Sequence, residues 1–165
     1  MGQEIERRFL VDQALWDRTG RLQARAVRDI RQGFLSTVKE RVVRVRVSGE
    51  QGFLTIKGLT QGFSKLEFEY AIPLVEAQQL LDALCEPPLI EKIRYQVEHD
   101  GLLWEVDEFR GANAGLLLAE VELGSESEEI LLPEWLGEEV SHDPRYFNSS
   151  LSRKPYCQWQ PVPKI

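Results

Sequence analysis

The sequence has few of the residues that build disulfide frameworks or zinc sites. Its two cysteines, Cys85 and Cys157, lie far apart, and its two histidines, His99 and His142, stand alone. Both kinds of framework need several such residues at short, regular spacings. We therefore expect two thiols that are buried or idle, and no metal site built on cysteine or imidazole.

Long apolar runs and a basic excess are missing as well. No apolar run approaches the length that spans a bilayer, and charged residues begin at Glu4, where a signal peptide would be apolar. A cytoplasmic location without membrane contact is predicted. The net charge of −7 argues against a general nucleic-acid-binding surface. A small internal basic site for a phosphorylated ligand is still compatible with that charge, because it depends on how the charges are distributed.

The length and composition favour one globular domain. The chain has 165 residues, 42% of them hydrophobic, which is enough for a core without staples. There is no repeat and no low-complexity linker. We predict a single domain over 1–165, in which 125–165 forms a closing segment of loops and short helices. Whether the protein is a monomer or a homodimer is left open.

Short alternating segments separated by glycines dominate the rest of the chain. Helical periodicity appears only in two places, at 13–25 after the N-cap candidate Asp12, and at 74–84 after Pro73. Eight antiparallel strands with short connections favour closure, because a closed sheet has no free edge. We expect a mainly β fold with helices (α+β), a closed eight-stranded antiparallel barrel with a few covering helices. The predicted strands are 3–11, 29–36, 41–48, 52–58, 66–72, 90–98, 101–109 and 116–123.

Charged residues recur at every second position of these strands and therefore share one face. In any single strand this face would ordinarily be solvated. Here, however, the signs are sorted by strand, whereas a solvated face normally mixes them. We infer that the charged faces point into the barrel, giving it an acidic wall and a basic wall. The pairs are Arg44 and Arg46, Lys92 and Arg94, Glu67 and Glu69, Glu105 and Asp107, and Glu120 and Glu122.

A charged interior of this kind has to be wet and to bind polyvalent ions, because burying so many unpaired charges is prohibitive. Converging carboxylates supply the oxygen ligands that Mg²⁺ or Mn²⁺ prefers. Arginine and lysine grip phosphate oxygens. A metal-bound polyphosphate satisfies both walls.

The charged segments, in order, also resemble those of the CYTH, or triphosphate tunnel metalloenzyme, family. The segments are EIERRFLV, RQGFL, VVRVRV, FLTIKG, LEFEYAIP, IEKIRYQV, LWEVDEF, LLLAEVEL and DPRYFNSSLS. The resemblance implies an eight-stranded tunnel that binds a triphosphate with a divalent metal and cleaves a phosphoanhydride bond. Short bacterial members are commonly inorganic tripolyphosphatases. Other branches are thiamine triphosphatases, adenylate cyclases and RNA triphosphatases.

Residue roles follow from the same resemblance. Metal ligands would be Glu4, Glu6, Glu120 and Glu122, and Asp107, with Glu105 in a supporting role, would join them or hold the metal through water. Phosphate oxygens would be bound by Arg8, Arg44, Arg46, Lys57 and Arg94. Lys92 would bind substrate close to the scissile phosphate, where it stabilises charge or orients the attacking water, and the catalytic residues would be Lys92, Glu4 and Glu6. Glu67 and Glu69 would orient the basic residues or position a second metal.

Two positions depart from the family pattern. Arg8 replaces a lysine, which exchanges a compact ammonium for a planar fork, and Phe34 replaces a tyrosine and lacks its hydroxyl. Inorganic tripolyphosphate is the preferred substrate, because the identified residues read charge and no aromatic platform for a base is evident. The alternatives are adenylate cyclase, thiamine triphosphatase or nucleoside triphosphatase activity, and a non-catalytic polyphosphate or nucleotide sensor. The resemblance also implies a C-terminal helix that closes one end of the tunnel. Arg145 or Lys154 would then either reach the substrate or, as we expect, lie in solvent.

Overall fold

The computed structural model describes residues 2–159, and nine antiparallel strands dominate it. Eight of them correspond to the predicted strands. The ninth, Leu136–Glu139, falls in the segment that was predicted to hold only loops and short helices, so that part of the prediction was wrong. The strands are β1 Gln3–Val11, β2 Ala26–Ser36, β3 Val42–Ser48, β4 Gln51–Lys57, β5 Ser64–Ile72, β6 Ile90–His99, β7 Leu102–Phe109, β8 Leu117–Glu122 and β9 Leu136–Glu139.

The first eight strands form the predicted closed barrel. Their order is β5-β4-β3-β2-β6-β7-β8-β1, and β1 returns to pair with β5. This closure uses only three residue pairs, Gln3–Ile5 against Ser64–Leu66. Farther along, β9 pairs with β1 at Phe9 and Val11, on the edge that β5 has left.

Helical segments cover parts of the outside. The predicted helix at 13–25 is a single turn of α-helix, α1 (Gln13–Leu15), which continues as a π turn (Trp16–Gly20) and a 3₁₀ turn (Arg21–Gln23). Asp12 caps it as predicted, accepting a hydrogen bond from the Leu15 amide. The helix α2 (Leu74–Ala83) matches its prediction to within one residue. The third helix is α3 (Asn148–Arg153), and further 3₁₀ turns span Gly111–Asn113, Pro144–Tyr146 and Tyr156–Gln158.

The main outer core lies under α1 and its continuation. Trp16, Trp104 and Trp135 are fully or nearly fully buried there and meet edge to face. On another side, Ala77 and Leu81 of α2 pack on Val45 of β3. The outer face of β5 is uncovered, since Leu66 is 60% exposed. The predicted covering helices therefore leave part of the outer apolar surface open to solvent.

The inner faces carry the charges, as predicted. Arg8, Arg44, Lys92, Arg94 and Asp107 are each at most 8% exposed. At one end the barrel interior turns apolar, and there Leu151 of α3 packs with a cluster that closes this end. The cluster also contains Phe34, Ile90, Phe109, Leu116, Leu118, Val140 and Tyr146. Within residues 2–159 no helix is long and apolar enough to cross a membrane.

Candidate active site

A cavity of about 540 Å³ occupies the barrel beside the apolar end. Glu6 and Glu120 are the only carboxylate side chains of residues 2–159 that line it, against nine basic side chains. A chain with a net charge of −7 therefore concentrates positive charge inside its barrel. The basic residues are Arg8, Lys39, Arg44, Arg46, Lys57, Lys65, Lys92, Arg94 and Arg153.

Asp107 holds two of these cations together. The register of β6 and β7 sets Arg94 opposite Asp107, and the guanidinium donates two hydrogen bonds to the carboxylate, at 2.8 and 2.9 Å. The Lys92 ammonium lies 2.7 Å from the Oδ2 atom of Asp107. Burial would raise the pKa of Asp107, but Arg94 and Lys92 outweigh it and lower that pKa to about 2. Asp107 therefore serves the basic wall as a buried counter-ion, whereas the resemblance made it a metal ligand.

Lys92 is the most deeply buried of the basic groups. Its side chain is 1% exposed and lies over the ring of Phe109, with the ammonium 5.3 Å from the ring centre. Burial lowers the pKa of Lys92 to about 7, against the attraction of Asp107 and with the help of nearby Arg94. A group with this pKa changes its charge close to neutral pH.

Three carboxylates of the predicted metal site lie in one corner, where β1 meets β8 and β5. Glu6 and Glu120 both accept hydrogen bonds from Arg8, at 3.0 Å, and Glu4 accepts one from Lys57 at 3.1 Å. Burial raises the pKa of Glu6, and the neighbouring Glu120 acts in the same direction. Glu120 itself keeps a pKa well below its usual value, because Arg8 and other cations outweigh its burial.

The fourth predicted ligand, Glu122, is exposed and stands opposite Glu6 in the β1–β8 register. Burial raises the pKa of Glu122, and Glu4 and Glu6 add to the effect. Over the described range 2–159, no three aspartate, glutamate, histidine or cysteine side chains already converge as a metal site. Instead, basic side chains neutralise the carboxylates. The atoms that these carboxylates offer to a metal are nevertheless all oxygens, which fits the chemistry of a hard divalent cation.

Other basic residues of the cavity are held by polar partners. Arg44 donates to Thr55 at 3.1 Å and to Glu69 at 3.4 Å, and Lys57 lies 3.3 Å from Glu67. Glu105 lies 3.3 Å from Arg94 in the same way. The three supporting carboxylates thus contact the basic side chains that bind phosphate in the resemblance. Burial lowers the pKa of Arg44 and, more strongly, of Arg46.

Comparison with known proteins supports the family resemblance of the sequence. The CYTH domain family matches residues 2–156. The chain belongs to the CYTH family. An inorganic triphosphatase of Acetivibrio thermocellus is 47% identical over 156 residues, covering 94% of this chain and 97% of that protein. An inorganic triphosphatase of Nitrosomonas europaea is 39% identical over 153 residues, covering 90% and 96%. A crystal structure of an inorganic triphosphatase superposes with a TM-score of 0.62 at 34% identity, covering 90% and 97%.

Several residues of this CYTH cavity were missed by the sequence reasoning. Lys65 is one, because the fifth strand was predicted to begin at 66, although Lys65 continues the alternation of Glu67 and Glu69. Asn148 is another: it is uncharged and reaches the cavity from a helix far along the chain, so strand alternation could not reveal it. Its hydrogen-bond partner Gln32, also uncharged and also missed, is fully buried and is not part of the lining.

The two departures from the CYTH pattern have clear places. Phe34 is 2% exposed, lies in the apolar cluster and also lines the cavity, so it presents a ring where the family pattern has a hydroxyl. Arg8 places its guanidinium 5.2 Å from the ring centre of Phe147 as well as against Glu6 and Glu120. Its Nη2 atom donates to both carboxylates, and the fork adds a second hydrogen bond, from Nε to Glu120.

Proposed function

We propose that this protein hydrolyses a phosphoanhydride bond of a linear triphosphate in a metal-dependent reaction, with inorganic tripolyphosphate giving pyrophosphate and phosphate. The observation that carries the proposal is the concentration of nine basic side chains in one cavity of an acidic protein. Such a cavity selects a small, highly charged anion. The two inorganic triphosphatases at 47% and 39% identity support the same substrate class.

In this proposal the basic wall binds and orients the substrate. Arg44, Arg46 and Arg94 have planar forks suited to bidentate contacts with phosphate oxygens, and Lys57 and Lys65 add charge nearer the acidic corner. Because these groups are held by carboxylates and amides in advance, binding loses little side-chain freedom. Positioning of the phosphate chain is a large part of phosphoryl-transfer catalysis.

Glu6 and Glu120, with Glu4 and Glu122, would hold the divalent cation, Mg²⁺ or Mn²⁺. A cation bound there supplies positive charge that neutralises phosphate oxygens and eases departure of the leaving group. Arg8 donates hydrogen bonds to two of these carboxylates, Glu6 and Glu120, and would have to release them when the cation binds. Asp107 is left out of this ligand set, because its oxygens already accept hydrogen bonds from Arg94 and lie against Lys92.

Lys92 would act beside the scissile phosphate. With a pKa of about 7 it can present an ammonium that stabilises charge on the transferred phosphoryl oxygens while water attacks in line. Phe34 cannot accept a proton from that water, so no step depends on this position. Cytoplasmic location, the absence of nucleic-acid partners, and the choice between monomer and homodimer stay predictions.

A specific observation favours a second candidate, a triphosphate that carries an organic group. Val38, Leu59 and Phe147 line the cavity together with the basic residues. Apolar and aromatic side chains of this kind can contact a base or a heterocycle. A thiamine triphosphatase or a nucleotide-processing activity would use this part of the cavity, whereas tripolyphosphate would leave it empty.

The experiment is a substrate panel of tripolyphosphate, ATP and thiamine triphosphate, each with Mg²⁺, Mn²⁺ or EDTA, followed by phosphate release. We expect the fastest turnover with tripolyphosphate and none in EDTA. Glu4→Gln should lose metal binding together with activity, whereas Lys92→Ala should still bind the metal but turn over the substrate slowly. Release of phosphate from no member of the panel would sink the hydrolase proposal, and tight binding without turnover would favour the sensor.

A further inference from the structure

Two amide side chains, the fully buried Gln32 and the half-buried Asn148, link the basic wall to the helix α3. Asn148, the first residue of α3, accepts a hydrogen bond from the Lys92 ammonium at 2.8 Å and another from the Gln32 side chain at 2.7 Å. Gln32 is fully buried and in turn accepts a hydrogen bond from Arg46 at 2.7 Å. One asparagine thus touches Lys92 directly and Arg46 through a single intermediate.

The orientation of these amides is fixed by the cations at the two ends. A lysine ammonium and an arginine guanidinium can only donate, so the atoms facing the charged forms of Lys92 and Arg46 are the amide oxygens of Asn148 and Gln32. The amino group of Gln32 is then directed at Asn148, whose oxygen uses both lone pairs. Flipping either amide would set donor against donor at a part-buried site. The network therefore has one satisfied arrangement.

The helix that carries Asn148 is anchored independently of this network. Leu151 is fully buried in the apolar cluster at the closed end, and the Ser152 hydroxyl donates to the Pro88 carbonyl at 3.4 Å. Side chains on packed elements hold their partners more accurately than side chains on loops do. Asn148 can therefore fix the position of the Lys92 ammonium, which the flexible side chain of Lys92 does not fix by itself.

We propose that Asn148 is a positioning residue of the active site, which holds the Lys92 ammonium and, through Gln32, the Arg46 guanidinium in their working places. This inference rests on the proposed function. It makes α3 part of the catalytic apparatus as well as the closure of the barrel. Without Asn148, Lys92 keeps Asp107 as its one close acceptor among residues 2–159 and is expected to settle toward it, away from the substrate.

Two substitutions of Asn148 separate positioning from bulk structure. Asn148→Ala removes the acceptor and should lower kcat by about 10- to 100-fold, the range expected from misplacing a reacting group by an ångström, with a smaller change in KM. Asn148→Asp keeps the acceptor oxygens, so kcat should recover at least in part, while the added negative charge raises KM. Ser152→Ala is the matched control, because it alters a buried polar group of α3 that is not itself part of the cavity lining and whose hydroxyl hydrogen-bonds to the Pro88 carbonyl instead.

A double-mutant cycle tests whether Asn148 acts through Lys92. In the Lys92→Ala background, Asn148→Ala should reduce kcat by less than about threefold, because the group that it positions is already gone. If the wild-type protein is active but the two effects multiply, the role of Asn148 is overturned while the proposed hydrolysis stands. The same holds if Ser152→Ala is as harmful as Asn148→Ala. Melting temperatures identify variants that have lost the fold. If Asn148→Ala is one of them, Asn148→Asp takes its place in the comparison.

The same cycle can be read without turnover. If the wild-type protein hydrolyses no triphosphate, the proposed hydrolysis fails, and the cycle is measured on the Kd for tripolyphosphate by calorimetry. Coupling between Asn148→Ala and Lys92→Ala in Kd would then retain the positioning of Lys92 in a binding site. Additive changes in Kd, or no binding of tripolyphosphate by the wild-type protein, would overturn it.

Discussion

Arg8 and Glu120 face each other across the β1–β8 pair and are joined by two hydrogen bonds, from Nε at 3.1 Å and from Nη2 at 3.0 Å to one carboxylate oxygen. The same Nη2 atom donates to Glu6 at 3.0 Å. The guanidinium therefore engages the carboxylates that would hold a divalent cation. Arg7, one residue earlier, points outward and pairs with Glu139 at 2.6 Å.

Replacement of Arg8 by methionine should strengthen metal binding and weaken substrate binding. Removing the guanidinium leaves Glu6 and Glu120 without their shared cation, so Mn²⁺ should bind about tenfold more tightly, corresponding to about 1.4 kcal/mol. Tripolyphosphate binding should weaken, because one positive charge of the cavity is lost. Calorimetric titration of each ligand measures both effects.

Arg7→Met is the control for this pair. The Arg7–Glu139 ion pair lies on the barrel exterior, and such pairs contribute at most about 1 kcal/mol to stability. Activity and both affinities should stay close to those of the wild type. Equal losses from the two substitutions would contradict the placement of Arg8 inside and Arg7 outside.

The affinity for tripolyphosphate should fall as the pH rises above 7, in part because of Lys92. Burial lowers the pKa of Lys92 to about 7 in the free protein, and a bound polyanion favours the charged form. Binding above pH 7 therefore requires uptake of a proton, which weakens affinity by up to about tenfold per pH unit. Calorimetry in EDTA from pH 6 to 9 follows the trend. Lys92→Met, titrated with the same ligand, should lose this part of the slope, and parallel curves would contradict the assignment.

Lys65, which the sequence reasoning missed, should contribute to substrate binding. Its ammonium lies 3.7 Å from Glu4 and 3.8 Å from Glu6, inside the cavity, and is not held by a close hydrogen bond among the described residues. Lys65→Met should raise the KM for tripolyphosphate by about tenfold, or about 1.4 kcal/mol. Lys154→Met removes an exposed lysine and should leave KM unchanged. Comparable effects of the two changes would point to general attraction by net charge.

Gly20 should tolerate no side chain. A Cβ atom there would stand 2.3 Å from the ring of Trp16 and 2.8 Å from that of Trp135. Gly20→Ala should therefore destabilise the fold by about 1 to 3 kcal/mol through overpacking, as measured by urea unfolding. At Gly124 the added atom meets only the end of the Glu128 side chain, at 3.3 Å, so Gly124→Ala is the matched control. Equal unfolding midpoints for the two variants would refute the close approach.

The strand faces were predictable from the sequence because alternation is a local property. Once Arg44 and Arg46, or Lys92 and Arg94, were seen to alternate with apolar residues, closure of the barrel required one of the two faces to point inward. The contacts across the interior were not predictable in this way. Which charge meets which depends on the stagger of neighbouring strands, and it is this register that sets Asp107 beside Arg94 and away from the acidic corner.

The missed elements have equally physical reasons. The strand β9 has only four residues, LGEE, with a glycine and two glutamates, so neither β-propensity nor alternation marks it. It forms because the outer edge of β1 is free beyond its pairing with β5. The change from α to π and 3₁₀ turns after Leu15 likewise depends on tertiary contacts, since Gly20 packs directly on the Trp16 ring.

The short pairing between β1 and β5 implies an uneven distribution of rigidity around the barrel. Glu4 and Glu6 lie on or next to the stretch of β1 whose ladder to β5 has three residue pairs, whereas β6 and β7 share eight. The amide hydrogens of residues 3–6 should therefore exchange with solvent well before those of β6. Binding of a cation or a polyphosphate in the cavity would slow that exchange, so the weakest ladder of the barrel is also the one whose protection reports directly on ligand occupancy.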